Sequence, residues 1–103
     1  MIDERFSEAR QALLAQVKEQ PGHTTPELRL SVFNGAGVSD ALDALVHKIH
    51  HYPYKVNDED IAALRCTFTD DELFEVIVCA ALGGAEKRLQ AGLRALTEAQ
   101  GLQ

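Results

Sequence analysis

Three histidines and a carboxylate supply the first candidate for chemistry. His47, His50 and His51 fall at i, i+3 and i+4, and Asp43 precedes His47 by four residues. On a helix these spacings place side chains on neighbouring turns, near enough for His47, His51 and Asp43 to reach one metal ion. The run is not the HExxH pattern of zinc hydrolases. Solvated histidines on the polar side of a helix, near its C-terminus, show the same spacing, because the dipole there favours cations. Both readings stand, and no motif for a cofactor accompanies the cluster.

Glu75 is the second candidate. Between Leu73 and Ala85 it is the only polar side chain, one helical turn from both Asp71 and Cys79. Partial burial would raise its pKa and suit it to general acid–base work. Alternatively it faces water or pairs with Arg65. The thiols are poorer candidates. Cys66 is expected at a helix C-terminus, where the dipole disfavours a thiolate, and Cys79 sits among Val78, Ala80 and Leu82, which raises a thiol pKa. Their separation of thirteen positions is neither CxxC spacing nor that of a disulfide scaffold. The acidic runs 58–60 and 70–71 read as helix starts, where carboxylates meet orphan N–H groups.

The elements that must position these residues are helical. Phe6, Ala9, Leu13, Leu14 and Val17 form one stripe of an amphipathic helix over about 3–19, ended by Pro21-Gly22. Thr25-Pro26 then gives an N-cap followed by proline at the first helical position. A short helix through about Phe33 is expected, although Leu28, Leu30 and Val32 also alternate as in a strand. After the Asn34–Gly37 break, Ser39 caps a helix with Leu42, Leu45, Val46 and Ile49 inward. Pro53 stops it, and 54–56 is an extended link. Asn57 caps a further helix. Thr69-x-x-Glu72 is a capping box that opens a long helix to Leu96, with residues 99–103 fraying.

The first half of that long helix is apolar on nearly every side and needs a surround. Thirteen apolar-rich residues, 73–85, are too few to cross a bilayer, so the surround is protein. Ala80, Ala81, Gly83, Gly84 and Ala85 let another helix approach closely, either within the chain or across an oligomer interface.

The 103 residues suit a single domain over 1–103, and 46% apolar with 25% charged residues is ordinary for a globular protein. A net charge of −6 argues against nucleic acid or an anionic membrane as partner. Met1–Arg5 is too acidic and polar for a signal peptide, so the expected compartment is cytoplasmic.

Three segments carry a family resemblance: Tyr54-Lys55-Val56-Asn57-Asp58-Glu59-Asp60-Ile61-Ala62-Ala63-Leu64-Arg65, then Phe68 to Glu75, then Ala80-Ala81-Leu82-Gly83. Together, over roughly 39–96, they resemble the AhpD-like / carboxymuconolactone decarboxylase superfamily, and its short members in particular. The resemblance implies an all-α domain of about five helices with a long C-terminal core helix. It also implies homo-oligomers, as dimers, trimers or hexamers. The peroxidase branch carries Glu-x11-Cys-x2-Cys-x3-His. Here those positions hold Ala41, Pro53, Val56 and Asp60. Peroxide reduction through a dithiol needs an attacking thiolate and a resolving thiol, so CxxC-dependent alkylhydroperoxidase activity is expected to be absent. The expectation is a non-redox binding or accessory homo-oligomer without a cofactor, assembled around Ala80–Ala85. Its small-molecule ligand would lie near Tyr52, Tyr54, His50, His51 and Glu75. The alternative is an enzyme of the decarboxylase type that uses His50, His51 and Glu75 in proton transfer.

Overall fold

The computed structural model describes residues 8–12, 14–16 and 22–101. Five helices account for most of them: α1, with described residues 8–12 and 14–16, α2 Pro26–Asn34, α3 Asp40–His51, α4 Asp58–Ala62 and α5 Asp70–Gly101. Among the described residues there is no strand, and no helix is long and apolar enough to cross a membrane. Phe6, Leu13, Val17 and Pro21 of the expected first helix and its stop lie outside the described residues. Leu14 packs against the core.

The helix starts follow the sequence chemistry. Thr25 Oγ1 accepts from the backbone N–H of Leu28 at 3.1 Å, and Pro26 follows at the first helical position. Asn57 and Asp60 make a reciprocal box at 3.1 and 3.0 Å, as do Thr69 and Glu72 at 3.1 and 2.9 Å. The capped start at Thr25 decides for helix over strand at 28–32. Two expectations need correction. Ser39 caps through its backbone carbonyl, which accepts from Leu42 and Asp43, and not through its hydroxyl. The link after α3 is a 3₁₀ turn over Pro53–Lys55 rather than an extended segment. In addition, α5 stays helical through Gly101, past the expected fraying point.

The first half of α5 is the axis on which α2 and α3 pack. Val32 and Phe33 from α2, Leu42, Leu45, Val46 and Ile49 from α3, and Leu73, Val76, Cys79 and Ala80 from α5 make the buried core, closed by Leu64. The α2 crossing depends on Gly83. A Cβ there would lie 2.7 Å from the carbonyl carbon of Phe33 and overlap its oxygen. Gly84 meets α3 less tightly, with Ile49 O at 3.6 Å from the equivalent point. Ala80, Gly83 and Gly84 are therefore occupied within the chain, while Ala81 and Ala85 face outward. The small-residue segment is not a free contact surface as a whole. Its two glycines serve the packing of α2 and α3.

Candidate functional site

The residues nominated for chemistry are divided between two places on α5. His50 of α3 stands over Gly84, whereas Glu75 lies nine residues earlier, about 14 Å along the helix axis. Among the described residues, Glu75 therefore lies apart from the group formed by His50, His51, Tyr52 and Tyr54.

Glu75 is held at the N-terminal end of α2. Oε1 accepts from Thr24 N at 2.9 Å and Thr24 Oγ1 at 2.6 Å, and Oε2 accepts from His23 N at 2.6 Å. The buried Arg29 guanidinium lies 3.7 Å from Oε1 and donates to Thr24 O at 2.7 Å. The segment entering α2 is thus stitched to α5 by one carboxylate. Gly22 makes room for it, since a Cβ there would stand 2.8 Å from Oε1 and 2.9 Å from Arg29 Nη1.

Burial by itself would raise the Glu75 pKa, as the sequence reading expected. The donors from Thr24 and His23 outweigh it and hold the carboxyl down at about 2. A carboxyl held so low is ionised near neutral pH and carries no proton to give there. A carboxylate already accepting three hydrogen bonds is also a feeble base near neutral pH. Nor does Glu75 pair with Arg65, which meets Asp70 at 3.2 Å. Burial pushes the neighbouring Cys79 thiol up, with Arg29 acting in the opposite sense. Cys66 is free and exposed, and Cys79 is free and buried.

His50 corrects the picture of a solvated histidine cluster. It is 7% exposed, and Nε2 lies 2.8 Å from Val32 O. A carbonyl only accepts, so the neutral ring carries its proton on Nε2. Nδ1 is buried without a hydrogen-bond partner. Burial lowers the pKa, and Lys87, His51 and Arg88 lower it further, against the hydrogen bond to Val32. Gly35, at φ +71°, ends α2 beneath the ring. A Cβ there would stand 3.1 Å from the imidazole, in a backbone conformation that already favours glycine. From α5, Lys87 donates to Asn34 O at 2.6 Å and Arg88 donates to His50 O at 2.8 Å, so the C-termini of α2 and α3 each receive a cation.

His47 and His51 remain exposed, with ring centroids 4.5 Å apart. Asp43 does not complete a ligand set with them: among the described residues, no three His, Cys, Asp or Glu side chains are grouped to hold a metal ion. Tyr52 and Tyr54 stand edge to face at 6.4 Å, and Lys55 Nζ lies 4.9 Å from the Tyr52 ring centre. This exposed aromatic corner can contact a ligand face, but no cavity encloses it among those described.

Sequence reasoning passed over Thr24, Arg29 and an apolar cleft of about 210 Å³ where α1 meets α5, floored by Leu82, Ala85 and Leu89. Arg29 had a signal. It lies three and four residues before Val32 and Phe33 and so shares their face. Comparison of the chain with protein-family models, curated proteins and solved structures finds no match in any of the three.

Proposed function

We propose that this chain is a short AhpD-like, carboxymuconolactone decarboxylase-like protein that works in the cytoplasm as a non-redox homo-oligomer, in a binding or accessory role. One observation carries this reading: the ionisable groups best placed for proton transfer are engaged in joining helices. Glu75 ties the entry of α2 to α5, and His50 ties the end of α2 to α3. The family resemblance of residues 54–83 supplies the lineage. Proline and valine at its redox positions 53 and 56 supply the argument against dithiol chemistry. The exposed Tyr52–Tyr54 corner is the surface on which a small-molecule ligand would rest.

The test is turnover. The full chain is assayed for peroxide consumption with a dithiol reductant, against a Cys66→Ser/Cys79→Ser control, and for consumption of an unsaturated lactone carboxylate, against Glu75→Gln. Both assays should stay at the control rate. Thiol-dependent peroxide loss, or lactone turnover that Glu75→Gln abolishes, would overturn the non-catalytic reading. The decarboxylase-type enzyme would then be the better account.

A further inference from the structure

His47 and His51 are left without a role by the helix junctions. They stand one turn apart on α3, and the buried row of Leu42, Leu45, Val46 and Ile49 turns their face to solvent. Their ring centroids lie 4.5 Å apart, with the planes tilted by 41°. Tyr52 flanks the pair, its ring centre 6.3 Å from each histidine.

We propose that His47 and His51 chelate one copper(II) ion, each through a ring nitrogen, in adjacent positions of its coordination plane. The separation of the rings carries the argument. With a metal–nitrogen bond of about 2.0–2.1 Å, each ring centre lies about 3.2 Å from the ion. Two rings at right angles on that ion then stand about 4.5 Å apart, and two at the tetrahedral angle about 5.2 Å. The observed 4.5 Å is the right-angled value. That geometry suits the tetragonal plane of copper(II) and not tetrahedral zinc. Copper(II) is also the tightest of the first-row divalent ions on such ligands, ahead of nickel(II), which shares the geometry.

The surroundings favour a cation. The chain carries a net charge of −6. Lys48, which follows His47, is neutralised by Asp60 at 2.9 and 3.0 Å. Asp43, one turn before His47, adds negative charge without completing a ligand set. His50 takes no part, since its Nε2 is committed to Val32 O and its ring centre lies 6.5 Å from that of His51. Two protein ligands leave the rest of the plane to water or to a donor atom on an incoming molecule. The site stands on α3 alone, so it depends on neither the family resemblance nor the oligomer.

Copper(II) is titrated into the full chain carrying Cys66→Ser, which removes an exposed thiol that would bind or reduce the ion. Tyrosine emission is the readout. The chain has two tyrosines and no tryptophan, and Tyr52 stands close enough to a bound paramagnetic ion to be quenched. Quenching should saturate at one ion per chain. His47→Ala and His51→Ala should each weaken binding at least about tenfold, because the second imidazole binds as an intramolecular ligand. His23→Ala, on the segment entering α2, should leave the affinity unchanged. Electron paramagnetic resonance should show two equatorial nitrogens in the parent and one in either variant, with circular dichroism confirming equal helicity. Quenching of parental strength in His47→Ala/His51→Ala, or no saturable quenching in the parent, overturns the site. Zinc(II) that displaces copper(II) at equal concentration overturns the right-angled geometry.

Discussion

The two ends of α2 are fastened by opposite chemistry. At the N-terminal end, a charged carboxylate accepts from two backbone N–H groups and a hydroxyl beside a guanidinium. At the C-terminal end, an imidazole that burial keeps neutral donates one hydrogen bond and leaves its other nitrogen unsatisfied. The first junction gains from ionisation, and the second loses by it. The general point is that burial alone does not set the direction of a pKa. Both groups are desolvated, but only Glu75 is surrounded by donors that fit its charged form. His50 faces one acceptor, with Lys87 and Arg88 nearby.

The largest test removes the geometry on which the C-terminal junction rests. Gly83→Ala should destabilise the chain by at least about 3 kcal/mol, because its Cβ meets the backbone of Phe33 and no side chain can rotate aside. Urea denaturation would measure it, and a loss under about 1 kcal/mol would mean that α2 does not cross α5 there. Next comes the N-terminal junction. The folded Glu75 pKa of about 2 lies below its ordinary 4.5. Its contribution is therefore complete above pH 4.5 and fades as pH falls towards 2. Glu75→Gln should cost about 2 kcal/mol at pH 7 and flatten the stability profile across that window. An unchanged acid limb would show that the carboxylate is not held as described. Gly22→Ala, which crowds the same carboxylate from the loop, should cost about 1 kcal/mol and raise the midpoint of the limb.

The two junctions were unequally legible in the sequence. Local chemistry could be read directly: Thr69 with Glu72, Asn57, and Thr25-Pro26 all act within three or four residues, where helix geometry fixes the partners. The long helix followed from its apolar run and capping box. His50 was misplaced, although it stands four residues after Val46 and so continues the buried stripe. The spacing that grouped it with His47 and His51 drew attention to the wrong face. The Glu75 environment could not be read at all, because its donors lie 51 and 52 positions away and no pattern in one chain records that pairing. The outward face of α5 was hidden for the opposite reason. A helix apolar on nearly all sides does not show which side the rest of the chain will cover.

The smallest effect is also the most specific probe of the contrast between the junctions. With the His50 pKa lowered from 6.5, the unfolded chain binds a proton there before the folded chain does. Stability is then full above pH 6.5 and declines as pH falls below it, towards the folded pKa. This is opposite to a histidine stabilised as a cation. The physical reason lies in the ring. Protonation adds a donor at Nδ1, which has no acceptor, and adds positive charge beside Lys87, Arg88 and His51. His50→Gln retains a donor for Val32 O but cannot titrate, so it should remove this shallow limb while preserving the Glu75 limb below pH 4.5. Thermal denaturation from pH 7.5 to 5.0 on both proteins separates the cases. If wild type and His50→Gln lose stability in parallel over that range, the unpaired nitrogen is reached by water, and the two ends of α2 differ less than their geometry indicates.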